Sequence, residues 1–120
     1  MDCRSLEELQ SLVEEFCEAR KWDPFHTAKD LAIGVVTEAS ELLSLFRFKN
    51  DKECTEMFYD EGKIQDIEDE LADVFFFILR FSKKYNVDIS KALVKKIEKN
   101  GVKYPINKCK GSNKKYNELD

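Results

Sequence analysis

The sequence predicts an all-α fold, most simply a four-helix bundle followed by an irregular, basic C-terminal tail. Three observations carry this reading. Apolar residues recur at helical spacing in four separate segments. Helix breakers are scarce, with four glycines and two prolines in 120 residues. No segment alternates apolar and polar residues as a half-buried strand would.

The first helix is expected from about Leu6 to Arg20. Ser5 and Glu8 form an S-x-x-E capping box ahead of an apolar stripe of Leu6, Leu9, Val13 and Phe16. The segment "KWDPFHT" ends it, because Pro24 lacks the N–H that a continuing helix needs. The second helix is expected from about Ala28 to Phe48, with a stripe of Leu31, Val35, Leu42, Leu45 and Phe46. The polar stretch "KNDKECTEMFYDEGK" then reads as a loop with a helical turn around Thr55 to Tyr59. The third helix is expected from about Ile64 to Tyr85. Its Phe75, Phe76, Phe77 and Phe81 point in several directions, which predicts burial nearly all round. The fourth is capped by Asp88 or Ser90 and ends near Asn100–Gly101. Beyond Gly101 the periodicity stops. The length fits one domain, divided here into a folded region, residues 1–104, and a tail, residues 105–120.

With 42% hydrophobic and 37% charged residues, the chain is a folded globular protein and not a disordered one. The net charge of −4 is uneven. Residues 101–120 carry five lysines against two acids, a net +3, which leaves −7 on residues 1–100. An acidic body argues against a partner that is a nucleic-acid polymer. No apolar run approaches the roughly 20 residues of a membrane span. The opening "MDCRSLEELQ" is polar, unlike a signal peptide. Cys3, Cys17, Cys54 and Cys109 are scattered with no C-x-x-C pair, which fits free thiols in a reducing compartment, and the expected location is the cytoplasm.

Two acidic pairs stand out. At about 100° per residue, Glu38 and Glu41 fall in the arc of Leu31, Val35, Leu42 and Leu45. Glu70 and Asp73 fall likewise among Ile67, Val74 and Phe77. A single acid on a helix is ordinarily solvated. Two pairs, each on the apolar face of its own helix, are different, because four carboxylates in one core repel unless a cation neutralises them. Oxygen ligands with little nitrogen or sulfur suit Mg²⁺ or Mn²⁺. No histidine follows any of these acids at the i+3 position, which weighs against a di-iron bundle. A magnesium-loaded carboxylate cluster typically handles phosphates.

The segments "WDPFHTAKDLAIGVVTEASELLSLFRFK", "EDELADVFFFILRFSKKYNVDISKAL" and "KIEKNGVKYP" resemble the all-α MazG-like nucleoside triphosphate pyrophosphohydrolases, nearest to their dCTP pyrophosphatase branch. The resemblance extends from about Trp22 to Tyr116. It implies Mg²⁺-dependent conversion of a (d)NTP, with dCTP or a modified dCTP expected, to (d)NMP and pyrophosphate, as in nucleotide-pool sanitation. It implies that Glu38, Glu41, Glu70 and Asp73 hold the metal. It also implies that Lys96, Asn100 and Tyr104 meet the phosphates or sugar, and that Trp22 and His26 line the nucleoside pocket. Phe48 stands where that branch has a second pocket tryptophan, so an aromatic is kept and an indole N–H is lost. The resemblance implies a homo-oligomer, a dimer or a tetramer of two dimers. Glu38 or Glu41 is the expected base for the attacking water, and the sequence does not separate them. The same acids would serve dUTP, purine or damaged nucleotides equally well. The competing reading is a catalytically inert helical module that uses its acids for oligomer pairing or metal storage and its tail to dock an acidic partner.

Overall fold

The structure is a computed structural model that describes residues 4–119. Cys3 and Asp120 lie outside the described residues. The described chain holds six α-helices, three short 3-10 turns and no strand, so the all-α class is as expected. No described helix is long and apolar enough to cross a membrane. By its internal contacts the chain divides into two compact units between Asn86 and Val87.

The first unit begins with α1, Leu6–Ala19. Ser5 and Glu8 close the capping box reciprocally, at 3.1 and 3.2 Å. A 3-10 turn at Asp23–Phe25 carries Pro24, and Thr27 then caps α2, Ala28–Phe46. The expected extension of the second helix to Phe48 is corrected. Arg47 leaves helical geometry with ψ 138°, and Phe48 takes a left-handed φ of 66°. Asn50 then caps a further helix, α3, Asp51–Glu56, in a second capping box with Glu53. The expected loop is therefore largely helical, and it continues into a 3-10 turn at Met57–Tyr59 whose Met57 is buried. Phe46 and Phe58 stack at 6.3 Å, which fastens this turn to the end of α2.

Asp60 caps α4, Glu61–Lys84, so this helix starts three residues earlier than its apolar stripe suggests. Lys83 and Lys84 in its last turn complement the helix dipole. The core of the unit is α4 packed chiefly on α2 and next on α1. Cys17, Leu31, Met57, Ile67 and Leu79 are buried in it. Gln10 Nε2 donates to Ser82 Oγ at 2.8 Å and ties α1 to α4. Within the described chain α4 is not buried all round, since Leu71 and Phe75 remain exposed.

The second unit holds α5, Ile89–Lys103, capped by Asp88. Gly101 does not end it. The helix runs on to Tyr104, where Pro105 disfavours helical geometry for the residue before it. The tail is not irregular throughout. It forms α6, Ile106–Cys109, and a 3-10 turn at Tyr116–Glu118. Within this unit the Tyr116 ring meets Tyr104 edge-on at 6.2 Å, and Lys103 Nζ lies 4.9 Å from the same ring.

Candidate metal and nucleotide site

The site is built on the facing helices α2 and α4. Glu38 and Glu41 stand one turn apart on α2, and Glu70 reaches toward them from α4. One carboxylate oxygen of each lies within 4.8 Å of the others. Glu38 and Glu70 are half-buried and Glu41 is exposed. The Oε2 atoms of Glu38 and Glu70 are buried, and no hydrogen-bond donor among the described residues reaches them. Burial, and then the charges of Glu41 and Asp73, raise the Glu38 carboxyl above its ordinary range. Burial, followed by the charges of Glu41, Glu38 and Asp73, does the same to Glu70. Partnerless buried oxygens among like charges are costly, and a hard cation satisfies them. The donor set is all oxygen, which fits a divalent cation of the magnesium type and not a thiolate or imidazole metal.

Asp73 is not in the tight triad of oxygens. It lies one turn after Glu70, and together with Glu38 it borders an adjoining cavity of about 480 Å³. Leu12, Val13, Phe16 and Trp22 wall one side of this cavity, and Phe76 and Phe77 complete it. The aromatic rings form a continuous run. His26 meets Trp22 at 5.8 Å, Trp22 meets Phe16 at 5.6 Å, Phe16 meets Phe76 at 5.9 Å and Phe76 meets Phe77 at 5.5 Å, all edge-on. An apolar slot that ends in carboxylates suits a ligand with a flat ring at one end and a metal-bound anion at the other.

His26 sits behind Trp22. Its Nδ1 accepts a hydrogen bond from Arg80 Nε at 3.0 Å. Arg80 is buried, and its Nη2 also donates to Asp23 Oδ1 at 3.1 Å. Lys84 Nζ lies 3.3 Å from the same carboxylate oxygen and donates to the carbonyls of Asp23 and His26. Burial, and then the charges of Arg80 and Lys84, push the imidazole below its ordinary pKa, so the ring is held neutral. Sequence reasoning did not find Arg80. Its signal was a lone cation inside "VFFFILRFS", seven residues after Asp73 and so on the same helix face.

Phe48 is 91% exposed beyond the end of α2, under the Arg47 guanidinium at 4.6 Å, and it does not line the cavity. Lys96 and Asn100 are exposed on α5, and Tyr104 caps that helix, all three in the second unit. Cys17, Cys54 and Cys109 are free thiols.

The MazG-like family model matches residues 33–119, which span both acidic pairs and α5. The chain belongs to the MazG-like family. It is similar to dCTP pyrophosphatase 1 of Rattus norvegicus and of Homo sapiens, 30% identical to each over 115 residues, which cover 96% of this chain and 68% of theirs. Among solved structures, a pyrophosphatase from Archaeoglobus fulgidus matches with a TM-score of 0.78 at 32% identity, covering 88% of this chain and 96% of that one. By class the protein is a nucleoside triphosphate pyrophosphohydrolase.

Proposed function

We propose that this protein hydrolyses a (d)NTP, with dCTP or a modified dCTP preferred, to (d)NMP and pyrophosphate in an Mg²⁺-dependent reaction that clears the nucleotide pool. The single observation that carries this is the pair of buried, partnerless oxygens of Glu38 and Glu70 beside Glu41. Those three residues, with Asp73 at the cavity edge, are the metal holders, and Mn²⁺ suits the same oxygens. The chemistry that a bound divalent cation supplies is charge neutralisation on the phosphate oxygens and the departing pyrophosphate.

The chain's own residues do the rest. The nucleoside enters the aromatic slot, where Trp22 offers a ring to the base, a contact worth about 1–3 kcal/mol in comparable systems. The slot thereby fixes the α-phosphorus near the acids. Glu41, the exposed member of the triad, orients a water and accepts its proton as the oxygen bonds to the α-phosphorus. The bond from that phosphorus to the bridging oxygen breaks, and pyrophosphate leaves with the electron pair. Lys96 and Asn100, one turn apart on α5, contact the phosphates, and Tyr104 contacts the phosphates or sugar. Phe48, exposed in its own chain, contacts the nucleoside in the pocket of a neighbouring subunit of a homo-oligomer, a dimer or a tetramer. Residues 1–104 form the catalytic region and 105–120 its basic tail, and the expected setting is the cytoplasm.

The test is a panel of canonical and modified (d)NTPs with separate detection of pyrophosphate and orthophosphate. Pyrophosphate from dCTP with Mg²⁺ supports the reading. A preference for dUTP or a purine triphosphate keeps the reaction and changes the substrate.

A further inference from the structure

Gly34 lies in the middle of α2, where glycine weakens a helix relative to alanine. Its backbone is helical, so no left-handed turn calls for glycine there. The reason is space. A Cβ at residue 34 would lie 2.6 Å from both Cδ1 and Cε1 of Phe77 and 2.9 Å from its Cγ. The Phe77 ring therefore rests directly on the bare backbone of α2.

The position of this contact gives it a consequence. Gly34 is one turn before Glu38, and Phe77 is one turn after Asp73, so the contact sits one helical layer from the carboxylates. Phe77 also walls the cavity that Glu38 and Asp73 border. On one flank its ring is held edge-on by Phe76 at 5.5 Å. A side chain at residue 34 would push the ring off α2, and the open space beside the ring is the cavity.

We propose that Gly34 is a specificity-determining residue, which lets Phe77 retract against α2 and so sets the room the cavity gives to the base of the nucleotide. This rests on the nucleotide reading of the cavity given above. It makes Gly34 act through Phe77 by volume alone, with no contact to metal or phosphate.

The experiment compares wild type, Gly34→Ala and the double variant Gly34→Ala/Phe77→Leu on dCTP, 5-methyl-dCTP and dATP. Steady-state pyrophosphate release is read alongside quenching of Trp22, the one tryptophan of the chain and a wall of the same cavity. Circular dichroism checks that each variant keeps its helices. The expected result is a KM that rises with base size in Gly34→Ala, about tenfold more for the larger base of a pair than for the smaller, with kcat moving less. The double variant regains most of the loss, a coupling that a merely weakened fold would not show. Equal effects on all bases, or no rescue by Phe77→Leu in folded protein, would overturn the inference while the proposed activity stands. Size-dependent Trp22 quenching without pyrophosphate release would remove the activity and leave the inference. No response to any nucleotide by either readout would overturn both.

Discussion

Arg80 Nε donates to His26 Nδ1 at 3.0 Å across 54 residues of sequence, and this bond fixes which nitrogen of the ring carries the proton. With Nδ1 accepting, the neutral imidazole holds its proton on Nε2. The guanidinium is 3% exposed and its carboxylate partner Asp23 is 71% exposed, so the pairing is too wet at one end to serve mainly as a salt bridge. Its larger effect is to pin the turn that carries Trp22 against the cavity. Arg80→Met should lower stability by about 1–3 kcal/mol through lost hydrogen bonds. Arg80→Lys should recover little, since an ammonium cannot reproduce the fork. Urea midpoints give the stability, and a red shift of Trp22 emission in folded Arg80→Met reports the freed turn.

The acids and His26 give opposite pH dependences. Glu38 and Glu70 have raised carboxyl pKa values in the fold, so without metal they favour folding below about 4.5, and that contribution is lost as pH rises through their raised values. His26 has a lowered pKa, so its contribution is present above about 6.5 and is lost as pH falls from there through the lowered value. Melting temperatures in a chelator across this range should show the upper-pH loss diminish in Glu38→Gln. The loss on the acid side of 6.5 should diminish in His26→Gln. Unchanged curves in both variants would contradict these assignments.

Metal should reverse the penalty carried by the acids. Mg²⁺ at about 100 times its dissociation constant should stabilise the wild-type chain by about 2.7 kcal/mol. Glu38→Gln and Glu70→Gln should melt no lower than wild type in a chelator, because each removes a repelling charge, and both should lose the Mg²⁺-dependent gain. Thermal melts with and without Mg²⁺ measure both effects. An inert module predicts no added shift from nucleotide together with Mg²⁺.

The proposed division at Tyr104 is open to truncation. The acids all lie before Asn86, so a chain ending at Tyr104 should keep the Mg²⁺-dependent rise in melting temperature. It should lose affinity for triphosphate, seen as a raised KM, because the cations of the basic tail, Lys114 and Lys115 among them, are removed. Loss of the metal response in a folded truncated chain would place the tail in the metal site and remove the division.

Much of this was legible in the sequence, and the parts that were not have physical causes. The existence and order of α1, α2 and α4 follow from apolar periodicity, though not the end of α2 or the start of α4, and Ser5, Pro24 and Asp88 mark boundaries through backbone hydrogen bonding that local sequence encodes. Helix α3 escaped because "DKECTE" has no apolar stripe, although Asn50 and Glu53 carried the same capping signature as Ser5 and Glu8. Gly101 misled because an exposed glycine is tolerated inside a helix, whereas Pro105 is the true stop. The acidic pairs were visible as charges on apolar faces. The closer grouping of Glu38, Glu41 and Glu70 without Asp73 was not, since it depends on how α2 and α4 face one another. Arg80, with partners 54 and 57 residues away, and Gly34, which meets Phe77 on another helix, are tertiary facts that no local pattern encodes.

Metal-dependent pyrophosphate release through Glu41 is tested by product identity from dCTP, with and without Mg²⁺, in wild type and in Glu41→Ala. Wild type with Mg²⁺ should give dCMP and pyrophosphate in equal amounts, and none in a chelator. The rate of Glu41→Ala should fall about 10²-fold or more in folded protein. Orthophosphate as the product, no turnover of any triphosphate in the panel, or an undiminished rate in Glu41→Ala would contradict this mechanism.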